Sequence, residues 1–144
     1  MNDPITLLRK DHREAEALLK RLETSKKPGP QRKETVAKLD AALKLHMSIE
    51  EKLVYPVAQR ELGKDPVVEA DVEHDLARDG MAKMRKLVSA PGFGATVDMV
   101  KAGIKHHVKE EETEIFPKLK RQLTREQLAE LGDQVVAMKK RAKH

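Results

Sequence analysis

The apolar positions of this chain recur at steps of three and four residues in four separate stretches. The stretches cover residues 5–22, 36–57, 67–88 and 97–115. This period is typical of helices that pack side by side in a bundle. Turns rich in proline and glycine, at residues 25–30 and 90–94, connect the first stretch to the second and the third to the fourth. Because short turns favour antiparallel neighbours, the pattern predicts an all-α, up-down-up-down antiparallel four-helix bundle.

The ends of the predicted helices carry capping signals. Asp3-Pro4 and Asp65-Pro66 each place an N-cap residue before a proline that suits the first helical position. Gly63 is expected to end the second helix. Pro56 is expected to kink that helix near its end, because a proline removes one backbone hydrogen bond.

A short fifth helix is predicted after the bundle. Thr124 and Gln127 have the spacing of a capping box. The apolar residues of its expected inner face are Leu128, Leu131 and Val135. We expect this helix over about residues 125–141, where it either covers the bundle or forms an oligomer contact. With a bundle core over about residues 4–122, residues 1–144 then form a single domain, long enough for one hydrophobic core.

Six polar residues stand on the otherwise apolar helix faces. They are His12, His46, Glu50, His74, His107 and Glu111. Burial of an unpaired carboxylate is expensive, and two carboxylates that face each other are worse. Buried imidazoles also need partners. A cation at the centre of the bundle removes these penalties together, so the pattern predicts a metal site.

Two of the histidines belong to a repeated motif. His46 and Glu50 precede an aromatic–proline pair, and His107 and Glu111 do so at the same offsets. On a helix, residues four apart lie on one face, so each motif points an imidazole and a carboxylate in the same direction. His106 offers a similar pair one residue earlier, but His107 falls on the apolar face. His106 is therefore expected to point away from the core.

The predicted ligand set limits the metal. Four imidazoles and two carboxylates suit two ions that the carboxylates bridge, with two terminal histidines on each ion. Nitrogen and oxygen ligands without sulfur fit non-haem iron, while manganese and zinc remain open. A structural zinc site would need only four ligands and a closed shell. The chain has no cysteine, which excludes disulfides, cysteine-ligated iron–sulfur clusters and thiolate nucleophiles.

Less specific interpretations apply to each part of the pattern. A single histidine on an apolar face is most often a satisfied core residue, and a single His–Glu pair four residues apart is most often an ordinary surface pair. The metal interpretation is preferred because the polar positions recur on four separate helices. The remaining alternative is a metal-free structural bundle, which predicts that Glu50→Leu and Glu111→Leu stabilise the protein at no other cost.

Composition limits the other functions. The net charge is +5, and part of it lies in a basic C-terminal tail that suits a helix end; His144 in this tail has no expected role. One tyrosine, two phenylalanines and no tryptophan leave few side chains for stacking on bases, so no nucleic-acid partner is expected. No apolar run approaches membrane-spanning length and no apolar leader begins the chain. A soluble, cytoplasmic protein without a membrane partner is expected.

Over about residues 4–122 the sequence resembles the hemerythrin-like, HHE cation-binding domain family. The resemblance rests on the six polar residues and on the endings Tyr55-Pro56 and Phe116-Pro117. It implies two iron ions in a non-haem centre, oxo- or hydroxo-bridged, inside a four-helix bundle. The implied ligands are His12 and His46 on one iron, His74 and His107 on the other, and Glu50 and Glu111 as bridges. The implied partners are small molecules: O2, hydrogen peroxide or nitric oxide.

The chain departs from the oxygen-carrying members in two places. They have a further histidine one turn after the equivalent of His74, where this chain has Arg78, and their last carboxylate is an aspartate at a longer offset than Glu111. A missing imidazole leaves one coordination position open, so catalase-like chemistry with peroxide is expected rather than oxygen storage. The alternative is a module that senses or stores iron, O2 or nitric oxide without turnover, which an exposed apolar patch would favour.

Residues beside the expected ligands are less defined. Tyr55 either acts at the centre by hydrogen bonding to an oxygen or only packs there. Asp11 and Glu73 each precede an expected ligand, but adjacent helix residues point about 100° apart, so solvent exposure is expected. Glu51 and Glu112 are expected in solvent too, unless one supplies the missing ligand. Four methionines are expected as core residues: Met47, Met81, Met84 and Met99.

Overall fold

Seven α-helices and two π-helical segments make up the computed structural model, which describes residues 2–143 and has no strand among them. The α-helices are α1 (Pro4–Glu23), α2 (Pro30–Ile49), α3 (Tyr55–Leu62), α4 (Lys64–Lys86), α5 (Phe93–Glu110), α6 (Phe116–Gln122) and α7 (Arg125–Ala142). The first π segment, Glu50–Val54, joins α2 to α3, and the second, Glu111–Ile115, joins α5 to α6. Each joined pair forms one continuous helical segment, so the described residues form five helical segments in succession. His144 lies outside the described residues.

The capping signals explain most of the helix ends. Asp3 accepts a hydrogen bond from the N–H of Ile5 at 2.9 Å, and Thr124 and Gln127 form the predicted reciprocal capping box. Gly63 ends α3 with a φ of 90°, a value that glycine adopts without strain. The prediction that Asp65 caps the next helix is wrong. That helix, α4, already begins at Lys64, and Asp65 lies in its first turn.

The helices pack as the sequence predicted. Helix α1 contacts α2 and α5, and α4 contacts the same two helices, which closes the four-helix bundle. Helix α7 packs across the outside, against α1, α2 and the first π segment. Its bounds, Arg125–Ala142, agree with the predicted range of about 125–141 to within one residue. Leu131 and Val135 are the buried anchors of this outer helix.

The apolar core is divided into two clusters by a polar layer. One cluster lies towards the α1–α2 and α4–α5 turns and includes Leu19, Leu39, Met84 and Val97. The other includes Leu8, Ile49, Val67, Phe116 and, from α7, Val135. The six polar residues predicted to face the core lie at or next to the point where each helix of the bundle passes from one cluster to the other. The bundle therefore holds a polar site at mid-height, with apolar packing on both sides.

The prolines after Tyr55 and Phe116 account for the two π segments. A proline has no N–H, and its ring crowds the carbonyl four residues back. The N–H of Tyr55 donates instead to the carbonyl of Glu50, five residues back, and the N–H of Phe116 donates to that of Glu111. Such π turns inside α-helices are frequent at functional sites. Both begin at a carboxylate that the sequence placed in the metal site.

The first π turn corrects one predicted helix face. The steps of three and four residues that run to residue 57 predict that Leu53 and Val57 face the core, but both are only half-buried, whereas Val54 and Ala58 are buried. A π turn holds one residue more than an α turn, so the downstream face rotates by about 100°. The irregularity predicted at Pro56 takes the form of this widened turn.

Several apolar side chains lie at the surface. Met47, Met81 and Met84 are core residues as predicted, but the same prediction is wrong for Met99, which is 76% exposed. Val68, Val72 and Leu76 follow one another at steps of four on α4 and are also exposed. They form a continuous apolar stripe along that helix. Within residues 2–143, no helix combines the length and the hydropathy that crossing a membrane requires.

Candidate metal centre

The six polar residues of the bundle meet in one place. Glu50 and Glu111 are fully buried, the side chain of His107 is 11% exposed, and the other three histidines are buried. Their ligand atoms form two groups, each within 4.8 Å, one of His12, His46, Glu50 and Glu111 and one of Glu50, His74 and His107. Glu50 belongs to both groups. Two ions held by these groups would share a carboxylate.

Each of the four imidazoles donates its Nδ1–H to a carboxylate on another helix. The pairs are His12 with Glu112 (2.6 Å), His46 with Asp11 (2.9 Å), His74 with Glu51 (2.7 Å) and His107 with Glu73 (2.6 Å). An ionised carboxylate only accepts, so the hydrogen-bond network assigns a hydrogen to every Nδ1. Every Nε2 then faces the centre. Carboxylate partners of this kind orient metal-binding histidines and increase their basicity.

The expectation that these acids lie in solvent is wrong. Each acid stands beside a predicted ligand in sequence and points about 100° away from it, as expected. In the packed bundle, that direction leads to the neighbouring helix and its histidine. Asp11 of α1 therefore accepts the hydrogen bond of His46 of α2, and Glu73 of α4 accepts that of His107 of α5. The sequence signal was the recurrence of an acid next to four of the six polar residues.

Positive groups hold these carboxylates from the outside. Arg78 donates two hydrogen bonds to Glu51, at 2.7 and 2.8 Å. Arg13 bonds Glu112, and Lys139 of α7 bonds Asp11. No pattern in the sequence singled out Arg13 or Lys139, because their partners are distant along the chain.

The outer contact of the fourth acid, Glu73, is made by His106. Its Nε2 lies 3.3 Å from a carboxylate oxygen of Glu73 and 3.1 Å from one of Glu110. Its side chain is 62% exposed. The structure thus places His107 at the centre and His106 outside it, as the apolar face of α5 predicted.

Tyr55 both packs and hydrogen-bonds at the centre. Its hydroxyl donates to Glu111 Oε2 at 2.7 Å, and lies 3.2 Å from Glu50 Oε1 and 3.1 Å from His74 Nε2. Its ring stacks on His74, as the ring of Phe116 stacks on His12 in the other half of the bundle. Burial and the charges of Glu50 and Glu111 raise the pKa of Tyr55, so the hydroxyl keeps its hydrogen.

The charges within the centre depend on one another. Burial lowers the pKa of His46, but Glu50 and the hydrogen bond to Asp11 outweigh it and raise this pKa to about 10. Burial also lowers the pKa of His107, and Glu111 and Glu50 raise it to about 12. Burial raises the pKa of Glu50, but the charge of His46 holds it well below its usual value. The centre therefore holds positive charge strongly, either as protons or as cations.

Two atoms test whether a metal fits. His46 Nε2 and Glu50 Oε2 are buried and have no hydrogen-bond partner within residues 2–143. His46 Nε2 lies 3.2 Å from Glu50 Oε1 without forming a hydrogen bond. An unsatisfied buried polar group costs about 1–3 kcal/mol. Both are ligand atoms that a cation would satisfy, so the donor set fits a metal ion.

A cavity borders the imidazoles of the centre. Its volume is about 1110 Å³, and its walls include all four histidines of the centre. The walls contain small and apolar side chains, such as Ala77, Gly80 and Ile104, together with charged ones, such as Asp79 and Lys83.

Comparison with known proteins agrees with this geometry. Residues 3–119 match the family model of the hemerythrin HHE cation-binding domain. The chain belongs to this family. Among solved structures, the crystal structure of a hemerythrin HHE cation-binding domain-containing protein from Mycobacterium kansasii matches with a TM-score of 0.86. The two are 22% identical, and the match covers 99% of this chain and 89% of the other, so this likeness establishes the shared fold. No curated protein matches the chain significantly.

The family match ends before α7 begins. The hemerythrin HHE residues 3–119 contain all six polar residues of the centre and the four acids that hold the imidazoles. The side chains described above that contact those acids also lie within the matched residues, except for Lys139, which lies beyond them. The helix α7 therefore adds a contact to the centre that the family match does not include.

Proposed function

We propose that this hemerythrin HHE protein holds a non-haem di-iron centre and decomposes hydrogen peroxide. His12 and His46 bind one ion, His74 and His107 bind the other, and Glu50 and Glu111 lie between them. The observation that carries the proposal is the pair of ligand groups that share Glu50. A single structural ion would need only one closed group of four ligands.

The residues around the ligands prepare the site. Asp11, Glu51, Glu73 and Glu112 hold the imidazoles by their Nδ1–H groups, so that each Nε2 stays directed to the centre. Two iron ions would supply two-electron redox chemistry. With two peroxide molecules, of which one is reduced and the other oxidised, the products would be one O2 and two waters. The chain supplies the orientation of the ligands, and the cavity beside the imidazoles has room for a small molecule such as peroxide.

Tyr55 is the proposed proton-handling group. Its hydroxyl lies within hydrogen-bond distance of both bridging carboxylates, and Glu111 accepts its hydrogen. A neutral hydroxyl in this position can give its hydrogen to the peroxide that is reduced, and regain one from the second peroxide, which loses two protons when it is oxidised to O2. General acid–base assistance of this kind contributes about 10²–10⁴-fold to a rate.

Arg78 supports turnover rather than oxygen storage. The oxygen carriers have an imidazole at this position, whereas the Arg78 side chain is 41% exposed and bonds Glu51 instead. Arg78 thus holds Glu51, the hydrogen-bond partner of His74. It does not act as a metal ligand, since guanidinium groups keep their protons. An ion held by His74 and His107 would therefore lack the further imidazole of the oxygen carriers, which would leave room for a substrate.

Iron content and oxygen release test the proposal together. Protein purified without added metal is expected to contain about two irons per chain and to release O2 from peroxide. Glu111→Gln is expected to lose iron and O2 release, while Glu114→Gln serves as the matched control, because Glu114 lies on the same π segment and is 63% exposed. Circular dichroism checks that both variants fold. Zinc in place of iron, or iron without O2 release from the wild-type protein, would overturn the peroxide activity.

A second candidate function has one observation in its favour. The exposed stripe of Val68, Val72 and Leu76 is the kind of apolar surface that a sensor would use to contact a partner. In this case the protein binds iron, O2 or nitric oxide without turnover. Titration with nitric oxide or O2, followed by visible absorption, would show saturable binding, and added peroxide would remain unconsumed.

A further inference from the structure

Lys139 connects the C-terminal helix α7 to the centre. Its ammonium group bonds Asp11 Oδ1, and Asp11 Oδ2 accepts the Nδ1–H of His46 at 2.9 Å. The Nε2 of His46 then faces Glu50. Three successive contacts therefore lead from α7, on the outside of the bundle, to a ligand atom inside it.

The contact between Lys139 and Asp11 is partly shielded from water. The Lys139 side chain is 24% exposed and that of Asp11 is 15% exposed. Charge-assisted hydrogen bonds are stronger when water is partly excluded. The next residue, Lys140, is exposed. The sequence therefore places two lysines side by side, of which one reaches the centre and the other faces solvent.

We propose that Lys139 is a positioning residue of the metal centre, acting through Asp11 on His46. This inference rests on the proposed metal binding. Lys139 holds Asp11 against His46, and this fixes the ring and the tautomer of His46.

The effect is confined to one side of the centre. Lys139 supports the group of His12 and His46, whereas Arg78, through Glu51, supports the side of His74. Loss of Lys139 weakens retention of the ion held by His12 and His46 and leaves the other ion in place. Docking of α7 thus controls how tightly one of two ions is held.

Metal release tests this asymmetry. Wild type, Lys139→Met, Lys139→Arg and Lys140→Met are each loaded with ferrous iron, and transfer to an excess of chelator is followed at fixed pH. Lys139→Met is expected to release one of its two ions on the order of ten-fold faster than wild type, the lower end of the effect known for partners of metal-binding histidines. Lys140→Met is expected to match wild type, and Lys139→Arg to restore slow release.

A double-mutant cycle separates positioning from simple packing. In an Asp11→Asn background, Lys139→Met is expected to add nothing, because the intermediary is already lost. Equal acceleration in both backgrounds would mean that Lys139 acts by holding α7, and would overturn the inference. Lys139→Gln repeats the cycle with a polar side chain of intermediate length if Lys139→Met folds poorly by circular dichroism.

The outcomes distinguish this inference from the proposed function. Wild-type protein that takes up no iron overturns both. Wild type that holds two irons, with Lys139→Met releasing both at the wild-type rate, overturns the role of Lys139 and leaves the di-iron proposal standing. Faster release of both ions by Lys139→Met also overturns it, because the effect would not be confined to the His46 side.

Discussion

The hydroxyl of Tyr55 donates a 2.7 Å hydrogen bond to Glu111, so the first half of the bundle supplies the partner for a buried carboxylate of the second half. The two residues are 56 positions apart. The ring of Tyr55 meanwhile packs on His74. One side chain therefore carries out two tasks, packing and hydrogen bonding, that mutation can separate.

Tyr55→Phe is expected to keep the packing and lose the proton donor. Iron content should stay at the wild-type value, because Tyr55 is not one of the proposed six ligands. Release of O2 from peroxide should fall by about 100-fold, the lower end of the contribution of a general acid. Stopped-flow peroxide assays and metal analysis measure the two quantities. Tyr55→Leu, which also removes the ring, should reduce stability as well; unchanged O2 release in Tyr55→Phe would rule out a catalytic hydroxyl.

Arg78→Met is expected to weaken metal retention on the side of His74. Arg78 holds Glu51, and Glu51 holds the His74 ring, so its loss should speed release of one ion about ten-fold. Arg85→Met is the matched control: Arg85 lies on the same helix and bonds Asp40 at 2.6 Å, away from the centre. Chelator competition compares the two variants, and equal release rates would contradict a role for Arg78.

Metal removal is expected to lower thermal stability. A ligand that binds the folded state at about 100 times its dissociation constant adds about 2.7 kcal/mol to the free energy of unfolding. For a domain of this size, that corresponds to a Tm shift of roughly 5–15 °C. Calorimetry before and after chelation measures the shift. The metal-free bundle predicts instead an unchanged Tm after chelation, and greater stability for Glu50→Leu and Glu111→Leu.

Two glycines are expected to respond to alanine in opposite directions. Gly103 lies in α5 with open space around its missing Cβ, so Gly103→Ala should raise the free energy of unfolding by about 0.5–1 kcal/mol. At Gly132 of α7, an added Cβ would lie 1.8 Å from the carbonyl oxygen of Asn2. Gly132→Ala should therefore lower stability by displacing α7 or the N-terminus. Denaturant unfolding of both variants checks the signs, and stabilisation by both would mean that α7 docks loosely.

The sequence alone determined the helices and the polar residues of the centre. Apolar residues at steps of three and four mark the buried positions of a helix, because each helix must bury one face. This spacing located His12, His46, His74 and His107 on four helices. The capping box at Thr124 likewise needs only neighbouring residues. What is local along the chain could be predicted from it.

Tertiary packing decided the rest. Asp11 and Glu73 point away from their own neighbours in sequence, and only the crossing of two helices brings them to His46 and His107. The one-residue rotation after Glu50 depends on a widened turn before a proline, which regular helical spacing does not contain. Lys139 reaches Asp11 across 128 positions, because α7 folds back over the bundle. Contacts between residues far apart in sequence carry no periodic signal, so the surroundings of the centre emerge only from the folded chain.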